Sequence, residues 1–461
     1  MLVILFYFIL SQIFLLIADI IYKGEKIKKM SNNELFKLEG NPSFTKSFPI
    51  SIQHVLAMII GNVAPAIIIA QCIGLSSNQI TEIVQYSMIC AGLATILQIY
   101  GIWKFGARLP IIMGTNFAFV PVIITINSNY GFSSVFGACL IGSIFLILFG
   151  LFIEKIIKYF PPIVTGTTVL SMGISLYPVA ISYMAGISKT PEYGNLTNWS
   201  VAIVTLLIVL IIDHFGKGYF KILSILIGII VGYALAFVLG IVDFSAISSA
   251  PLISVPKFLP FGIEFHYGAI ITMIVMYLVT SIQVIGDVSS LTVGSMNREA
   301  KKEEVSGAIM SKGLSGLITA LIGGLPSSSF AQNIGIICIT KVISKKVVTL
   351  AGIIILILGF FPKFSSIMTT IPYPVLGGAT LSVFSIITIN GIKLISRDKM
   401  TSRNAGILGI ALAFGLGLTS VPETLAKTPL AFQTFIGSSP IIIATIIAFI
   451  LNIILPKNNE N

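Results

Sequence analysis

The sequence predicts an all-α polytopic membrane protein with fourteen transmembrane segments in a seven-plus-seven inverted repeat, broken into short elements at segments 3 and 10. Three observations carry this expectation. Mean hydropathy is +1.01 with 56% hydrophobic residues. Charged residues make up 10% of the chain, against about 25% in ordinary soluble domains. Two local patterns also recur in the same order at nearly equal separations. A 461-residue soluble chain could not cover its surface with 28 Lys and Arg and 17 Asp and Glu. At roughly 30 to 35 residues per crossing and connection, the length accommodates about thirteen to fifteen crossings. A soluble enzyme, a secreted disulfide scaffold and a nucleic-acid binder are excluded. The four cysteines, Cys72, Cys90, Cys139 and Cys338, lie in apolar runs without metal-like or redox spacing and are expected to be small buried hydrophobes.

The elements follow from the apolar runs. Crossings are expected at 51–74, 82–100, 108–126, 131–152, 160–182, 199–213, 221–241, 266–289, 305–322, 328–342, 346–361, 371–391, 403–419 and 438–455. The runs at 199–213 and 328–342 are short for a complete helical crossing. Ahead of them, Met1 to Ile21 is almost wholly apolar and is followed by Lys23, Lys26, Lys28 and Lys29. A signal peptide has its basic residues before the apolar run. Two readings stand: an additional helix with its N-terminus outside, or a translation start at Met30. No functional residue is sought in 1–29.

Charge placement supports the count. Alternate connections carry Lys104, Arg108, Lys155, Lys158, Lys217, Lys221, Arg298, Lys301, Lys302, Lys312, Lys345, Lys346, Lys393, Arg397, Lys399 and Arg403, whereas the opposite set holds Lys189, Lys257, Lys363 and Lys427. A miscounted crossing would reverse every later connection and erase this asymmetry. Basic residues favour the cytoplasmic side, so both ends of the fourteen-segment body are expected there. The net charge of +11 is thus topology rather than attraction for a polyanion.

The repeat is read from two matches. Arg108-Leu109-Pro110 followed by Gly114-Thr115-Asn116-Phe117-Ala118-Phe119 parallels Gly324-Leu325-Pro326 followed by Phe330-Ala331-Gln332-Asn333, at an offset of 216. Pro162-Ile163-Val164-Thr165-Gly166-Thr167-Thr168 parallels Pro374-Val375-Leu376-Gly377-Gly378-Ala379-Thr380, at an offset of 212. Segment 3 thereby pairs with 10 and segment 5 with 12. An odd repeat of seven re-enters the membrane from the opposite face, the arrangement of carriers that alternate between two openings.

Segments 3 and 10 also hold sequence that a buried helix avoids. Gly323-Gly324-Leu325-Pro326-Ser327-Ser328-Ser329 is poor helix sequence, and its counterpart carries Leu109-Pro110, Gly114-Thr115-Asn116 and Pro121. Unwound backbone at membrane depth is tolerated where it lines a cavity or is buried in protein. Two half-helices with free N-terminal amides are expected, and such donors suit a carbonyl-rich or anionic ligand. The alternative is a Pro/Gly kink that packs and binds nothing. Polar side chains gather at the same depth: Gln332 and Asn333 after the second break, Asn116 after the first, and Gln283 and Asp287 four apart on one helix face of segment 8. An intramembrane Asp is expensive and functional by default, although Arg298 and Lys301 are near in sequence. Gln53 and His54 open segment 1, with His54 either a packed interior residue or an orienting group. Phe117 and Phe119 could stack on a flat ligand. His214 and His266 sit at segment ends and receive no role. No Walker loop implies ATP and no ligand cluster implies a metal.

These residues resemble the signature of the nucleobase–ascorbate transporter family, the nucleobase–cation symporters of the second type. Gln332-Asn333-Ile334-Gly335, four residues and Thr340-Lys341 match its Gln or Glu, Asn, any residue, Gly, four residues, Thr pattern. Gln53-His54, Gly114 to Phe119, Gly286-Asp287 and Pro374 to Gly378 add further likeness across about residues 45–455. The resemblance is to bacterial xanthine and uric acid permeases in particular. It implies a core domain at 46–155 and 263–362 (segments 1–4 and 8–11) that moves in an elevator-like manner against a gate domain at 156–262 and 363–461 (segments 5–7 and 12–14), with 1–45 an extension. Spans 3 and 10 would be strand-plus-half-helix elements. The resemblance implies that Gln332 pairs with the base and leans selectivity toward an oxidised purine. It further implies that Phe117 stacks and Asn116 and Gln283 bind. Asn333, Asp287, His54, Gln53, Gly335 and Thr340 would support or couple. No cofactor is implied; the proton is the coupling ion. A homodimer through the gate domain, a bacterial inner membrane, and neither nucleic acid nor ATP as partner complete the expectation.

One departure stands out. The family usually has a substrate-binding Glu where this chain has Gln283, which keeps size and hydrogen bonding but cannot titrate. Coupling through Asp287 or His54 is the preferred expectation, with sodium-linked or uncoupled transport of uracil or another base as the alternative. An anion transporter of the sulfate-permease type is a rival in fold. It is disfavoured because such proteins append a soluble domain, whereas this chain ends soon after segment 14, and because they lack the Gln332–Thr340 signature. A membrane-embedded enzyme would need paired acids, a metal cluster or an activated nucleophile, and only Asp287 approaches that.

Overall fold

The computed structural model describes residues 34–156, 160–187, 190–217, 219–244, 247–248, 250–437 and 439–456. The expectation for residues 1–29, with Lys158 and Lys189 of the charge count, lies outside the described residues. After a turn at Glu34–Phe36, α1 (Phe44–Cys72) and α2 (Ser77–Tyr100) lead to β1 (Met113–Thr115) and α3 (Phe119–Tyr130), then α4 (Ser133–Ile156). There follow α5 (Pro162–Ser175), α6 (Tyr177–Ala185), α7 (Leu196–Phe215), α8 (Tyr219–Ile222) and α9 (Ser224–Val238). The second half opens with α10 (Tyr267–Met296) and α11 (Lys302–Ile322), then β2 (Ser327–Ser329), α12 (Ala331–Thr340), α13 (Lys345–Gly359) and α14 (Pro362–Thr369). It closes with α15 (Tyr373–Ile395), α16 (Ser402–Ser420), α17 (Leu430–Gly437) and α18 (Pro440–Ile454).

Local chemistry sets several boundaries. The Gln79 side chain accepts from the Ser76 amide at 3.0 Å and starts α2. Asn297, at φ 51°, ends α10 in the left-handed conformation, where asparagine is better tolerated than most residues. Glu304 then accepts from the Lys301 amide at 2.8 Å and from Arg298 Nη1 at 2.9 Å, which fixes the start of α11. Gly323, at φ 82°, releases α11 into the second break.

Among the described residues, eight helices are long and apolar enough to cross a membrane, and nine if the pair α13–α14, bent by 87°, counts as one. The fold is thus a polytopic bundle of long apolar helices. Segments expected at 108–126, 221–241, 328–342, 403–419 and 438–455 do not meet that criterion. α3, α9, α12 and α18 have only 12, 15, 10 and 15 residues.

Two packing groups are evident. In one, α4 lies on α11 and α10, and α2 lies on α13 and α1. In the other, α15 packs on α5, α6 and α7, α9 packs on α7, and α16 and α18 pack together. Two sequence expectations need correction. Lys312 is not a connection residue: it is fully buried in α11. Position 312 falls inside the crossing expected at 305–322, so Lys312 leaves the cytoplasmic set and the asymmetry survives without it. Cys72 is exposed at the end of α1 and Cys338 is only half-buried in α12, whereas Cys90 and Cys139 are buried as expected.

Candidate functional site

The two broken segments meet each other. β1 and β2 pair antiparallel, with Met113 opposite Ser329, Gly114 opposite Ser328 and Thr115 opposite Ser327. The pairing continues beyond the strands, since the Asn116 amide donates to Pro326 O at 3.3 Å and the Phe330 amide to Ile112 O at 3.0 Å. The outer edge of β1 is closed by side chains. Asn62 Oδ1 accepts from the Thr115 amide at 2.7 Å, and Thr95 Oγ1 accepts from the Met113 amide at 3.0 Å. The outer edge of β1 is thus satisfied by side chains rather than by a third strand. Two glycines allow the close approach, because a Cβ on Gly114 would lie 2.4 Å from the Phe330 ring and one on Gly61 would lie 2.6 Å from it.

The two half-helices differ at their N-termini. α12 has Phe330 O accepting from the Ile334 amide as its first bond, so the amides of 331–333 precede its hydrogen-bond ladder. At α3 the Asn116 side chain accepts from the Ala118 amide at 2.8 Å. The expectation of free amides therefore fits α12 better than α3, where a side chain caps the break.

Gln332 and Phe117 line one narrow cavity, about 30 Å³ in volume, with Leu56, Ile60, Gly61 and, from the facing helices, Leu226 and Thr380. Its walls come from both packing groups. The Phe117 ring meets Phe384 of α15 edge-on, centroids 5.0 Å apart. Such a volume holds a water or two; a planar bicyclic ring enters only if the two groups separate.

Asn116 and Gln283 are not cavity-lining residues. They are joined to each other, with Asn116 Nδ2 donating to Gln283 Oε1 at 2.9 Å. Asp287, on the same face of α10, accepts from Ser329 Oγ at 2.5 Å and is buried. Asn333 and His54, far apart in sequence, are bonded: Asn333 Nδ2 donates to His54 O at 2.9 Å and lies 3.1 Å from His54 Nδ1. A carbonyl can only accept, so that atom is the amide nitrogen. His54 Nδ1 must accept from it, and the ring hydrogen sits on Nε2. That Nε2, Asn333 Oδ1 and both amide atoms of Gln53 are buried without a partner among the described residues. Thr340 ends α12, donating to Ile336 O at 2.8 Å, and Lys341 beside it binds Gly294 O. At Gly335 a Cβ would meet nothing within 4 Å. His214 and His266 are remote: His266 stacks on Tyr130 with centroids 5.0 Å apart, and His214 is exposed near Leu210 O.

Sequence reasoning missed Asn62, Thr95, Ser329, Thr280 and Lys312 as polar parts of this region. Asn62 and Lys312 were open to detection as polar residues within apolar runs; the hydroxyls give no such signal. Among the described residues, no three His, Cys, Asp or Glu side chains gather as metal ligands.

Comparison with known proteins bears on these features together. A family profile described as "Permease family" matches residues 45–424. The xanthine permease of Bacillus subtilis is 34% identical over 414 residues, covering 89% of this chain and 94% of that protein. The uric acid permease PucK of the same organism is 32% identical, covering 89% and 96%. In fold, the chain is similar to the transmembrane domain of the cyanobacterial bicarbonate transporter BicA, with TM-score 0.57 and 13% identity over 89% of this chain and 98% of that one. The sequence matches extend over nearly the whole of both chains and include the Gln332–Thr340 region, so the chain belongs to this permease family, the nucleobase–cation symporters of the second type.

Proposed function

We propose that this permease imports an oxidised purine of the xanthine or uric acid type by proton symport. The family places the chain as a secondary transporter, not an enzyme, in a bacterial inner membrane. The observation that carries the substrate reading is Gln332 beside Phe117 in a cavity walled by both packing groups. A neutral amide presents one donor and one acceptor, which matches the lactam edge of an oxidised purine, while an aromatic ring supplies a stacking face. Asn116 and Gln283, bonded to each other, complete the binding set once the groups part. Asn333, His54, Gln53, Gly335 and Thr340 hold the α12 end of the site. Asp287 is the proton-coupling carboxyl.

The same proposal includes fourteen segments in two inverted halves. Its support is the symmetry of the packing. The pair α2–α13 corresponds to α4–α11 when each segment is replaced by its repeat partner, and α7–α9 corresponds to α16–α18. The antiparallel β1–β2 ladder is what a two-fold relation between the halves produces. Residues 46–155 and 263–362 then form a core that carries the site, and 156–262 and 363–461 form the gate against which it slides.

The test is uptake of radiolabelled xanthine by deficient cells expressing the full chain, with urate, hypoxanthine, guanine and uracil as competitors and with or without a protonophore. Saturable uptake, competed by urate and abolished by the protonophore, is expected. Competition by uracil but not by purines would overturn the role given to Gln332. Indifference to the protonophore would overturn proton coupling.

A further inference from the structure

One charged side chain has no part in the proposal above. Lys312, midway along α11, is fully buried. An ammonium at membrane depth is expensive and is normally paired. Its Nζ donates to Thr280 Oγ1 and lies 5.9 Å from the ring centroids of both Phe119 and Tyr277. Thr280 gives its own hydroxyl hydrogen to Met276 O at 2.9 Å, so its oxygen is free to accept from the ammonium. The Tyr277 hydroxyl is engaged with Ser143 Oγ at 3.2 Å. A hydroxyl and two ring faces attract the ammonium but do not neutralise it. The acid that acts on Lys312 electrostatically is Asp287, itself buried on the same face of α10 but not in direct contact with the ammonium, which sits on Thr280.

The arrangement is ordered along α10. Thr280, Gln283 and Asp287 recur at steps of three and four residues, so they share one face. Each fastens a different neighbour: Thr280 binds Lys312 of α11, Gln283 binds Asn116 ahead of α3, and Asp287 binds Ser329 of β2. The stripe thus brings one acidic side chain, Asp287, and one basic side chain, Lys312 of α11, into the same buried region.

We infer that Lys312 is a tethered cation: the resident counter-ion of Asp287, standing where a cation-coupled carrier would bind a dissociable metal ion. A sodium ion approaching Asp287 would meet the ammonium of Lys312 and gain nothing that the lysine does not already supply. The carrier therefore has no use for sodium, and a proton is the cation left to exchange at this stripe. The proton part of this inference rests on the permease reading above; the pairing of Lys312 with Asp287 does not require the substrate to be a purine.

The test uses the purified full chain in detergent. Thermal unfolding midpoints are measured for Lys312→Met, Asp287→Asn and the double variant. Each single change leaves the other charge buried and unpaired, so each is expected to lower the midpoint, and the double variant to recover at least half of the summed loss. Additive losses would overturn the pair. If neither single variant accumulates, folded double variant supports the pair and its loss counts against it. In a second arm, replacing choline by sodium is expected to leave the wild-type midpoint unchanged and to raise that of Lys312→Ala, where the ammonium's place is vacated beside Asp287. A sodium shift in the wild type, or none in Lys312→Ala, would overturn the tethered-cation role. These readouts involve no purine, so a wild type that fails to take up xanthine refutes the proposed substrate and leaves the Lys312 outcome to be read separately.

Discussion

Replacing Asn333 by alanine tests the joint between α12 and α1. Its Nδ2 makes two bonds to one residue, 2.9 Å to His54 O and 3.1 Å to His54 Nδ1, and His54 and Asn333 are 0% and 1% exposed. The His54 carbonyl lies in mid-helix and keeps its ladder bond, so it loses a second donor at about 0.5–1 kcal/mol. The ring nitrogen loses its partner altogether, which costs about 1–3 kcal/mol in a buried site. Against this, Asn333 Oδ1 has no partner among the described residues, and removing it returns on the order of 1 kcal/mol. The net loss is about 0.5–3 kcal/mol, or roughly 1–6 °C in the unfolding midpoint at about 2 °C per kcal/mol. Asn333→Asp sharpens the test because it keeps the shape but cannot donate, and it sets a carboxylate against a carbonyl oxygen. Scanning fluorimetry of the purified variants is expected to rank wild type above Asn333→Ala above Asn333→Asp, with substrate uptake falling in the same order. An aspartate variant as stable as the alanine variant, or both within 1 °C of wild type, would refute the donor assignment and with it the Nε2–H tautomer of His54.

Two further outcomes follow from the same geometry. Gln332→Glu exchanges an amide donor for a carboxylate in the cavity, and xanthine uptake is expected to fall at least about tenfold with uracil emerging as a competitor; the competitor panel run on both proteins checks this. Gly114→Ala places a carbon 2.4 Å from Phe330 and 2.7 Å from Asn62 Oδ1, an overpacking expected to lower stability by about 1–3 kcal/mol, whereas Gly335→Ala enters open space and is expected to leave thermal stability within about 0.5 kcal/mol of wild type. Comparing the two unfolding midpoints decides whether steric closeness distinguishes these glycines.

Much of the site was legible because its chemistry violates the rules of its surroundings. Gln332, Asn333, Gln283 and Asp287 are polar in apolar runs, and Pro110, Pro326 and the serines after it are poor helix formers where a helix should run. Which of these residues touch was not legible. Asn333 and His54 are 279 positions apart, and nothing in either local sequence names the other. The strands escaped the residue-level reading because three residues give too short a pattern for an alternation to show, and only the family resemblance supplied them. Lys312 was misplaced for a physical reason: counting basic residues assumes that a lysine lies in water, and that assumption fails where the protein supplies its own counter-charge. Helix lengths were overestimated in the broken segments because hydropathy continues through β1, β2 and the turns, whereas hydrogen bonding does not.

The two strands also constrain how the molecule can move. A three-residue strand has no independent stability, so β1 exists only while β2 is paired to it, and the outer edge of β1 only while Asn62 and Thr95 hold it. The bonds from Asn116, Asp287 and Asn333 add α10 and α1 to the same unit. Opening the site by peeling α3 from α12 would strand these backbone groups at membrane depth, at several kcal/mol for each unsatisfied group. Sliding the whole unit past the gate breaks apolar contacts at Leu226, Val383 and Phe384 and the bonds of one hydroxyl, Tyr183 of α6, which reaches Ile68 O at 3.3 Å and Gln71 Oε1 at 3.2 Å on α1. The second route costs less, and it predicts where exchange changes. In hydrogen–deuterium exchange, peptides over 113–115 and 327–329 are expected to stay protected with and without xanthine, while those over 223–226 and 379–384 change. Deprotection of the strands on adding substrate would mean that the site opens from within and that the unit is not rigid.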